Sequence, residues 1–208
     1  MPSPQWPRDW DAPIPSHIQG LIFDCDGTVV DTMPVHYAAW CKALGEVGIA
    51  FPEERFYALA GATAASIAAM LAKEQGVQCD PAEVAHHKEA IYEASLHDLW
   101  PIDKVVEVAR RERGKRKLAV ASGGRIRAVR KSLEVIQVAD LFDVMIGAEA
   151  VTHGKPAPDL FLKAAELLGL QAGACAVYED GELGLEAARR AGMVPIDVRP
   201  WYSARKSA

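Results

Sequence analysis

Five short apolar runs constrain what this chain can fold into. Residues 20–23 form one such run, ended by Asp-x-Asp-Gly, and similar runs recur at 118–121, 144–146, 174–178 and 194–198. A short apolar run that stops at a turn is the pattern of a strand buried in a parallel sheet. Between the later runs lie segments with helical spacing: Val105, Val106 and Ala109; Val129, Leu133 and Ile136; Leu160, Phe161, Ala164, Ala165 and Leu168; Leu185, Ala188 and Ala191. From residue 103 onward strand and helix alternate, which predicts an α/β fold with a Rossmann-like, doubly wound parallel sheet.

Residues 33–99 interrupt that alternation. They show three helix-like stretches near 34–47, 63–75 and 81–98 and no strand pattern, as expected of a helical insertion after the first strand. Gly45 and Gly48 lie where its first helix would end, and Pro101 marks the return to the sheet. The first 17 residues are proline-rich, which disfavours both helix and sheet. The expected organisation is an irregular arm over 1–17, a Rossmann-like core built from 18–32 plus 100–208, and a small α-helical cap over 33–99.

Composition adds limits rather than a function. With 208 residues, 50% hydrophobic and 25% charged, the chain can bury one ordinary core and a small second domain. A net charge of −5 gives no overall attraction to nucleic acid or to an anionic membrane. No apolar run approaches the roughly 18 residues of a membrane span, and the N-terminus lacks the apolar stretch of a signal peptide. Cys25, Cys41, Cys79 and Cys175 are widely separated and form no CxxC pair, which suits reduced, half-buried thiols and a cytoplasmic location.

Four polar motifs follow the predicted strands. In an extended chain Asp24 and Asp26 point to the same side, and Gly27 then allows a sharp turn. Two carboxylates that close are costly unless a cation neutralises them or one stays protonated, and oxygen ligands suit Mg²⁺; a solvated acidic turn is the plainer alternative. Ser122-Gly123-Gly124 leads into a helix beginning near Arg125, offering backbone N–H groups and a hydroxyl to an anion, although ordinary N-cap chemistry would look the same. Lys155 lies in Gly-Lys-Pro-Ala-Pro-Asp, held out of helical geometry by Pro156 just before a helix whose first turn suits Pro158, where it is either a counter-charge for a phosphoryl group or an exposed loop lysine. Glu179 and Asp180 end the fourth run, where adjacent acids are expensive without a metal. Strand ends of a doubly wound sheet meet in its ligand crevice, so the four motifs are expected to converge.

In that order the motifs resemble the haloacid dehalogenase-like phosphohydrolase superfamily over residues 20–199, and within it the β-phosphoglucomutase-like group with a helical cap. The segments "GLIFD", "HGKPAPD", "AARRAGM" and "DVR" are most similar to sugar-phosphate phosphatases of the fructose-1-phosphatase type. The resemblance implies that Asp24 is the nucleophile forming an aspartyl-phosphate and that Asp26 is the acid/base. It implies Mg²⁺ held by the Asp24 carboxylate, the Asp26 backbone carbonyl and Asp180, with Glu179 a direct ligand or one step removed. Ser122 and Lys155 would bind the transferring phosphoryl oxygens, with Gly123 and Arg125 as neighbouring substrate contacts. His36 and Lys88 match positions near the acid/base and on the cap side of the substrate; a packed helix residue and a solvated lysine are their plainer readings. Gly181 departs from the pattern, since many relatives carry Ser there.

Within the group, mutases hold a second phosphate with a cap Arg in a GxSR stretch and with Ser and Asn just beyond the motif serine. The corresponding stretches here are Gly61-Ala62-Thr63-Ala64 and Gly124-Arg125-Ile126, which leave only Arg125 as a cation. The expectation is therefore a phosphoric monoester hydrolase acting on a small phosphorylated metabolite, a sugar phosphate such as fructose 1-phosphate or 6-phosphogluconate. A mutase is the alternative. Dehalogenation would not need Asp26, and phosphonoacetaldehyde-type hydrolysis would lack it. A non-catalytic phosphate-binding protein would be expected to miss a catalytic carboxylate, and none is missing. The basic run 110–117 suits a helix end rather than nucleic acid. The chain is expected to act as a monomer, with no membrane and no nucleic-acid partner.

Overall fold

The computed structural model describes residues 10–59 and 63–202. Two compact units emerge: Met1–Asp31 together with Trp100–Ala208, and Thr32–Leu99. In the first, strands β1 (Gly20–Phe23), β4 (Lys117–Ala121), β5 (Val144–Ile146), β6 (Cys175–Glu179) and β7 (Val194–Asp197) form one sheet in the order β5-β4-β1-β6-β7. Every pairing in it is parallel, with Gly20 in register with both Lys117 and Cys175. The expected doubly wound sheet is present, and each of its five strands falls on one of the apolar runs.

Burial explains the pattern. All four residues of β1 are buried, because helices cover the sheet: α7 (Asp159–Leu168) packs on β1, β4 and β5, and α8 (Glu182–Arg190) on β6 and β7. Ile22, Ala119, Val177, Phe161, Ala164 and Ala188 form one continuous core. Phe23 points the other way, with its ring stacked on Tyr178 at 4.6 Å. Helices α5 (Asp103–Glu112) and α6 (Ile126–Val135) follow the same alternation and bury Val105, Val106, Val129 and Leu133. Strand order reverses around β1, whose neighbours β4 and β6 lead outward in opposite directions, so the carboxyl ends of these three strands frame the switch point.

Two additional strands escaped the sequence pattern. β2 (Val30–Asp31) and β3 (Trp100–Pro101) pair antiparallel and join the chain where it leaves and re-enters this unit. At two residues each they are too short to show alternation.

The Thr32–Leu99 unit is helical: α1 (Met33–Gly45), α2 (Glu53–Ala58), α3 (Ala64–Gln75) and α4 (Pro81–Ala94) surround Trp40, Leu44, Phe51, Phe56, Ile67, Leu71 and Val84. Thr63 caps α3 by accepting from the Ser66 N–H at 3.3 Å, and Asp80 caps α4 by accepting from the Ala82 N–H at 2.8 Å, ahead of Pro81. Helix α2 was not expected, and the stretch expected over 81–98 divides. The Ser95 hydroxyl donates to the Ile91 carbonyl at 2.9 Å as α4 ends, and a one-turn helix follows over Leu96–Asp98. Gly61 and Ala62, invoked in the mutase comparison, lie outside the described residues, as do residues 1–9 of the arm.

The described part of the arm is irregular and is held by the basic run. Arg116 donates to the Ile14 and Ile18 carbonyls at 3.0 and 2.9 Å, and both Arg111 and Arg116 pair with the buried Glu112. The four cysteines are free; Cys25 and Cys175 are buried, but Cys41 is exposed on α1 rather than half-buried. Among the described residues no helix is long and apolar enough to cross a membrane.

Candidate active site

The site is built at the carboxyl ends of β1, β4 and β6. Asp24 follows β1 directly, and its N–H continues the ladder by donating to the Tyr178 carbonyl at 3.0 Å. The loop beyond it winds around one acceptor, the Cys25 carbonyl, which receives the N–H groups of Thr28, Val29 and Val30 at 3.0–3.3 Å. Gly27 makes this turn with φ +79°, and a Cβ there would also strike the Asp180 carboxylate. Glycine is therefore required twice over.

Lys155 Nζ lies 2.6 Å from Asp24 Oδ1 and 2.8 Å from Glu179 Oε2, and 5.2 Å from the centre of the Phe161 ring. Asp24 and Glu179 are each only 4% exposed. The second Glu179 oxygen accepts from the Gly181 N–H at 3.2 Å. Asp180 accepts at Oδ1 from the hydroxyl of the fully buried Thr28 at 3.1 Å. Asp24, Glu179 and Asp180 offer one oxygen each within 4.8 Å of one another.

Asp24 and Asp26 enter different hydrogen-bond systems. Asp26 Oδ2 accepts from the Ser122 hydroxyl at 3.3 Å, and Ser122 Oγ in turn accepts from the Gly124 N–H at 2.9 Å. The Asp26 carboxylate is not one of the three clustered carboxylates. Gly124 keeps this corner open: its Cβ would come within 3.2 Å of Ser122 Oγ and 3.5 Å of Asp26 Oδ2. Gly123 is exposed in the same turn, and Arg125 is the exposed N-cap of α6.

The electrostatics show a shortage of positive charge. Burial, then the charge of Asp24, pushes the Glu179 carboxyl up to about 8 against the opposing pull of Lys155. Burial and Asp24 likewise push Asp180 up to about 7, with the Thr28 hydrogen bond opposing. Burial alone would lower the Lys155 ammonium, but Asp24 and Glu179 outweigh it and hold the group charged. Three converging carboxylates against one ammonium form a hard-oxygen set that fits a small divalent cation.

His36 and Lys88 meet inside the helical unit. Lys88 is 4% exposed, with Nζ 2.9 Å from His36 Nδ1 and 2.8 Å from Glu89 Oε1, between the rings of Trp40 and Tyr92 at 5.6 and 5.3 Å. Burial, then Lys88, lowers His36 to about 3, so the neutral imidazole accepts from the ammonium while stacking on Tyr92 at 3.8 Å. Lys88 is thus not the solvated lysine of its plainer reading.

Four contributors were not singled out from sequence. Thr28 orients Asp180. Gly184 leaves room for Glu179, whose carboxyl occupies the space a Cβ would take. Glu149 Oε2 accepts from the Ile126 N–H at 3.2 Å and so occupies the amino end of α6. Tyr202 Oη donates to the Gly27 carbonyl. Thr28 and Gly184 lie within the motif segments, where their spacing could have marked them; Glu149 and Tyr202 carry no local signal.

This sheet and site define a class. The sequence model of the haloacid dehalogenase-like hydrolases matches residues 18–192, and the chain belongs to that family. It is 37% identical over 181 residues to the fructose-1-phosphate phosphatase YqaB of Escherichia coli, covering 86% of this chain and 96% of that protein. It is 28% identical to the β-phosphoglucomutase of Bacillus subtilis, covering 87% and 83%. Among solved structures it resembles a predicted phosphoglycolate phosphatase from Haemophilus somnus, with a TM-score of 0.80, 20% identity, and coverage of 86% and 84%.

Proposed function

We propose that the protein is a Mg²⁺-dependent phosphatase of small sugar phosphates, with fructose 1-phosphate as the first substrate to test. The observation that carries this is the buried Lys155 bridging Asp24 and Glu179 beside Asp180, with Asp26 held separately by Ser122. The E. coli relative's name supports the choice of substrate.

In this mechanism an Asp24 carboxylate oxygen attacks phosphorus, and the bond to the sugar oxygen breaks as Asp26 donates its proton to that oxygen. Asp26, now ionised, takes a proton from water, whose oxygen attacks the aspartyl-phosphate; phosphate leaves and Asp24 is regenerated. Lys155 and Ser122 stabilise charge on the transferring oxygens. Mg²⁺ held by Asp24, Asp180 and the Asp26 carbonyl, with Glu179 a direct ligand or one step removed, would supply the positive charge that lets an anionic nucleophile approach an anionic phosphate. Lys88, with its His36 partner, is assigned to substrate recognition, as are Gly123 and Arg125.

Hydrolysis is favoured over mutase chemistry by the amino end of α6. A mutase needs donors there for a second phosphate, but Gly124 has no side chain, Ile126 has no polar group, and the Ile126 N–H already bonds to Glu149. The deciding experiment is phosphate release from a phosphomonoester panel with and without Mg²⁺. Metal-dependent release is expected; no release from any member overturns the proposal. Conversion of β-glucose 1-phosphate to glucose 6-phosphate with little free phosphate would establish the mutase instead.

A further inference from the structure

The C-terminal segment reaches back to the loop that carries the two aspartates. Beyond β7 the Val198 N–H donates to the Glu179 carbonyl at 3.0 Å, and one helical turn spans Arg199–Trp201. Trp201 is buried with its ring 5.8 Å from Tyr178, and Arg199 pairs with Asp197 and, at 2.7 Å, with Glu182. The turn so anchored delivers Tyr202, whose hydroxyl donates to the Gly27 carbonyl.

That carbonyl belongs to the peptide joining Gly27 to Thr28. The N–H of the same peptide donates to Cys25 at 3.3 Å, so Tyr202 completes a clamp on both of its polar ends. The two residues it joins are those that touch Asp180: Gly27 packs against the carboxylate, and the Thr28 hydroxyl donates to it at 3.1 Å. Burial, then the nearby Asp180, Asp24, Asp31 and Glu179 charges, raises the Tyr202 pKa well above the usual phenol range, so the hydroxyl keeps the proton it donates. The family match ends at residue 192, ten residues short of this side chain.

We propose that Tyr202 is a positioning residue for the metal site: by fixing the Gly27–Thr28 peptide it holds the Thr28 hydroxyl against Asp180 and preorganises that carboxylate for the cation. The proposal rests on the assignment of Asp24, Glu179 and Asp180 to the metal. It gives the C-terminal turn a role that the motif residues do not disclose.

The test is a calorimetric Mg²⁺ titration of the wild type, Tyr202→Phe and Asp180→Asn, with each protein's unfolding midpoint measured alongside. Tyr202→Phe removes one oxygen and keeps the ring, so its metal-free midpoint should fall by no more than the few degrees that one hydrogen bond is worth. Its Mg²⁺ Kd should rise about fivefold, the scale of one lost hydrogen bond, and Asp180→Asn should lose the metal. A parental Kd in Tyr202→Phe, while Asp180→Asn still loses Mg²⁺, overturns the proposal and leaves the metal assignment standing. Absence of Mg²⁺ binding by the wild type overturns the metal assignment and the proposal with it.

Discussion

Lys155 bridges Asp24 and Glu179, with its Nζ 2.6 Å from one carboxylate and 2.8 Å from the other. Asp24 directly follows β1 and Glu179 ends β6, 155 residues on in sequence, and this one cation offsets their mutual repulsion. Removing it leaves two buried carboxylates facing each other. Lys155→Met should therefore lower the unfolding free energy by about 3 kcal/mol, the usual scale for breaking a buried ion pair from one side, and should abolish turnover. Chemical denaturation of the metal-free protein measures the first effect. A variant as stable as the wild type would show that the bridge does not stabilise the fold.

The raised carboxyls give metal-free stability a definite slope with pH. The folded-state values of about 7 for Asp180 and about 8 for Glu179 lie above the unfolded value of about 4, so between those limits the folded state binds more protons than the unfolded chain. Their contribution is fully present below the unfolded value and is lost as pH rises through the folded values. In a chelating buffer the unfolding midpoint should fall from about pH 6 to pH 8.5, and Asp180→Asn should flatten that fall. Added Mg²⁺ should raise the midpoint most at the alkaline end. A metal-free midpoint that climbs with pH would contradict the charge deficit assigned to the site.

Gly184 offers a test in which local propensity and site geometry oppose each other. It lies in α8, where alanine is preferred over glycine by about 1 kcal/mol. Its Cβ, however, would occupy the space of the Glu179 carboxyl. Gly184→Ala should thus retain the fold with α8 intact by circular dichroism, yet lose at least about tenfold in kcat/KM as Glu179 is displaced and Lys155 released. Full activity in this variant would mean that Glu179 has room to move without consequence.

The two acids of the first motif should separate kinetically. Asp26 is held by Ser122 and Asp24 by Lys155, so replacing either leaves the other's partner in place. Asp24→Asn should eliminate turnover, whereas Asp26→Asn should leave a residual rate some 10²–10⁴-fold below the wild type, the usual reach of general acid–base catalysis. A substrate with a better leaving group, such as p-nitrophenyl phosphate, should recover part of the Asp26→Asn loss. Equal losses on both substrates would remove Asp26 from the proton-transfer role.

Sequence disclosed the parts of this molecule that are dictated locally. Strands covered by helices are largely apolar runs, so all five strands of the sheet were visible although β5 and β7 are only half-buried, and the helices between them followed from the spacing of residues such as Leu160, Ala164 and Leu168. Helix α2 was not visible because six residues with Phe56 as the sole buried side chain produce no periodicity. The contrast within the site has the same origin. Asp24 directly follows an apolar run, and Ser122, Lys155 and Asp180 stand next to glycine or proline, whereas Tyr202 acts on Gly27 across 175 residues and no pattern near residue 202 announces it. Cys41 is exposed for a related reason, since apolar neighbours in sequence do not fix which side of α1 a residue occupies.

Glu149 bears on the choice between phosphatase and mutase because it occupies a donor that a second phosphate would need. Its Oε2 accepts the Ile126 N–H at 3.2 Å, and Gly147 permits that approach, since a Cβ there would collide with the Ile126 nitrogen and the Gly124 carbonyl. The carboxylate therefore lies at the end of α6 where an anion would otherwise gain from the helix dipole. Arg125, exposed at the N-cap, is the one attractive charge in the Ser122–Ile126 loop, and a single flexible guanidinium does not replace a bonded N–H. Glu149→Gln keeps an acceptor for Ile126 and removes the charge. It should leave kcat/KM for fructose 1-phosphate within about twofold of the wild type while lowering KM for fructose 1,6-bisphosphate by about three- to tenfold, the range expected for relieving one partly screened like-charge contact. Steady-state kinetics on the two substrates measure the ratio directly. An unchanged ratio would show that Glu149 only shapes the loop, and discrimination against a second phosphate would then rest on the donors missing at Gly124 and Ile126.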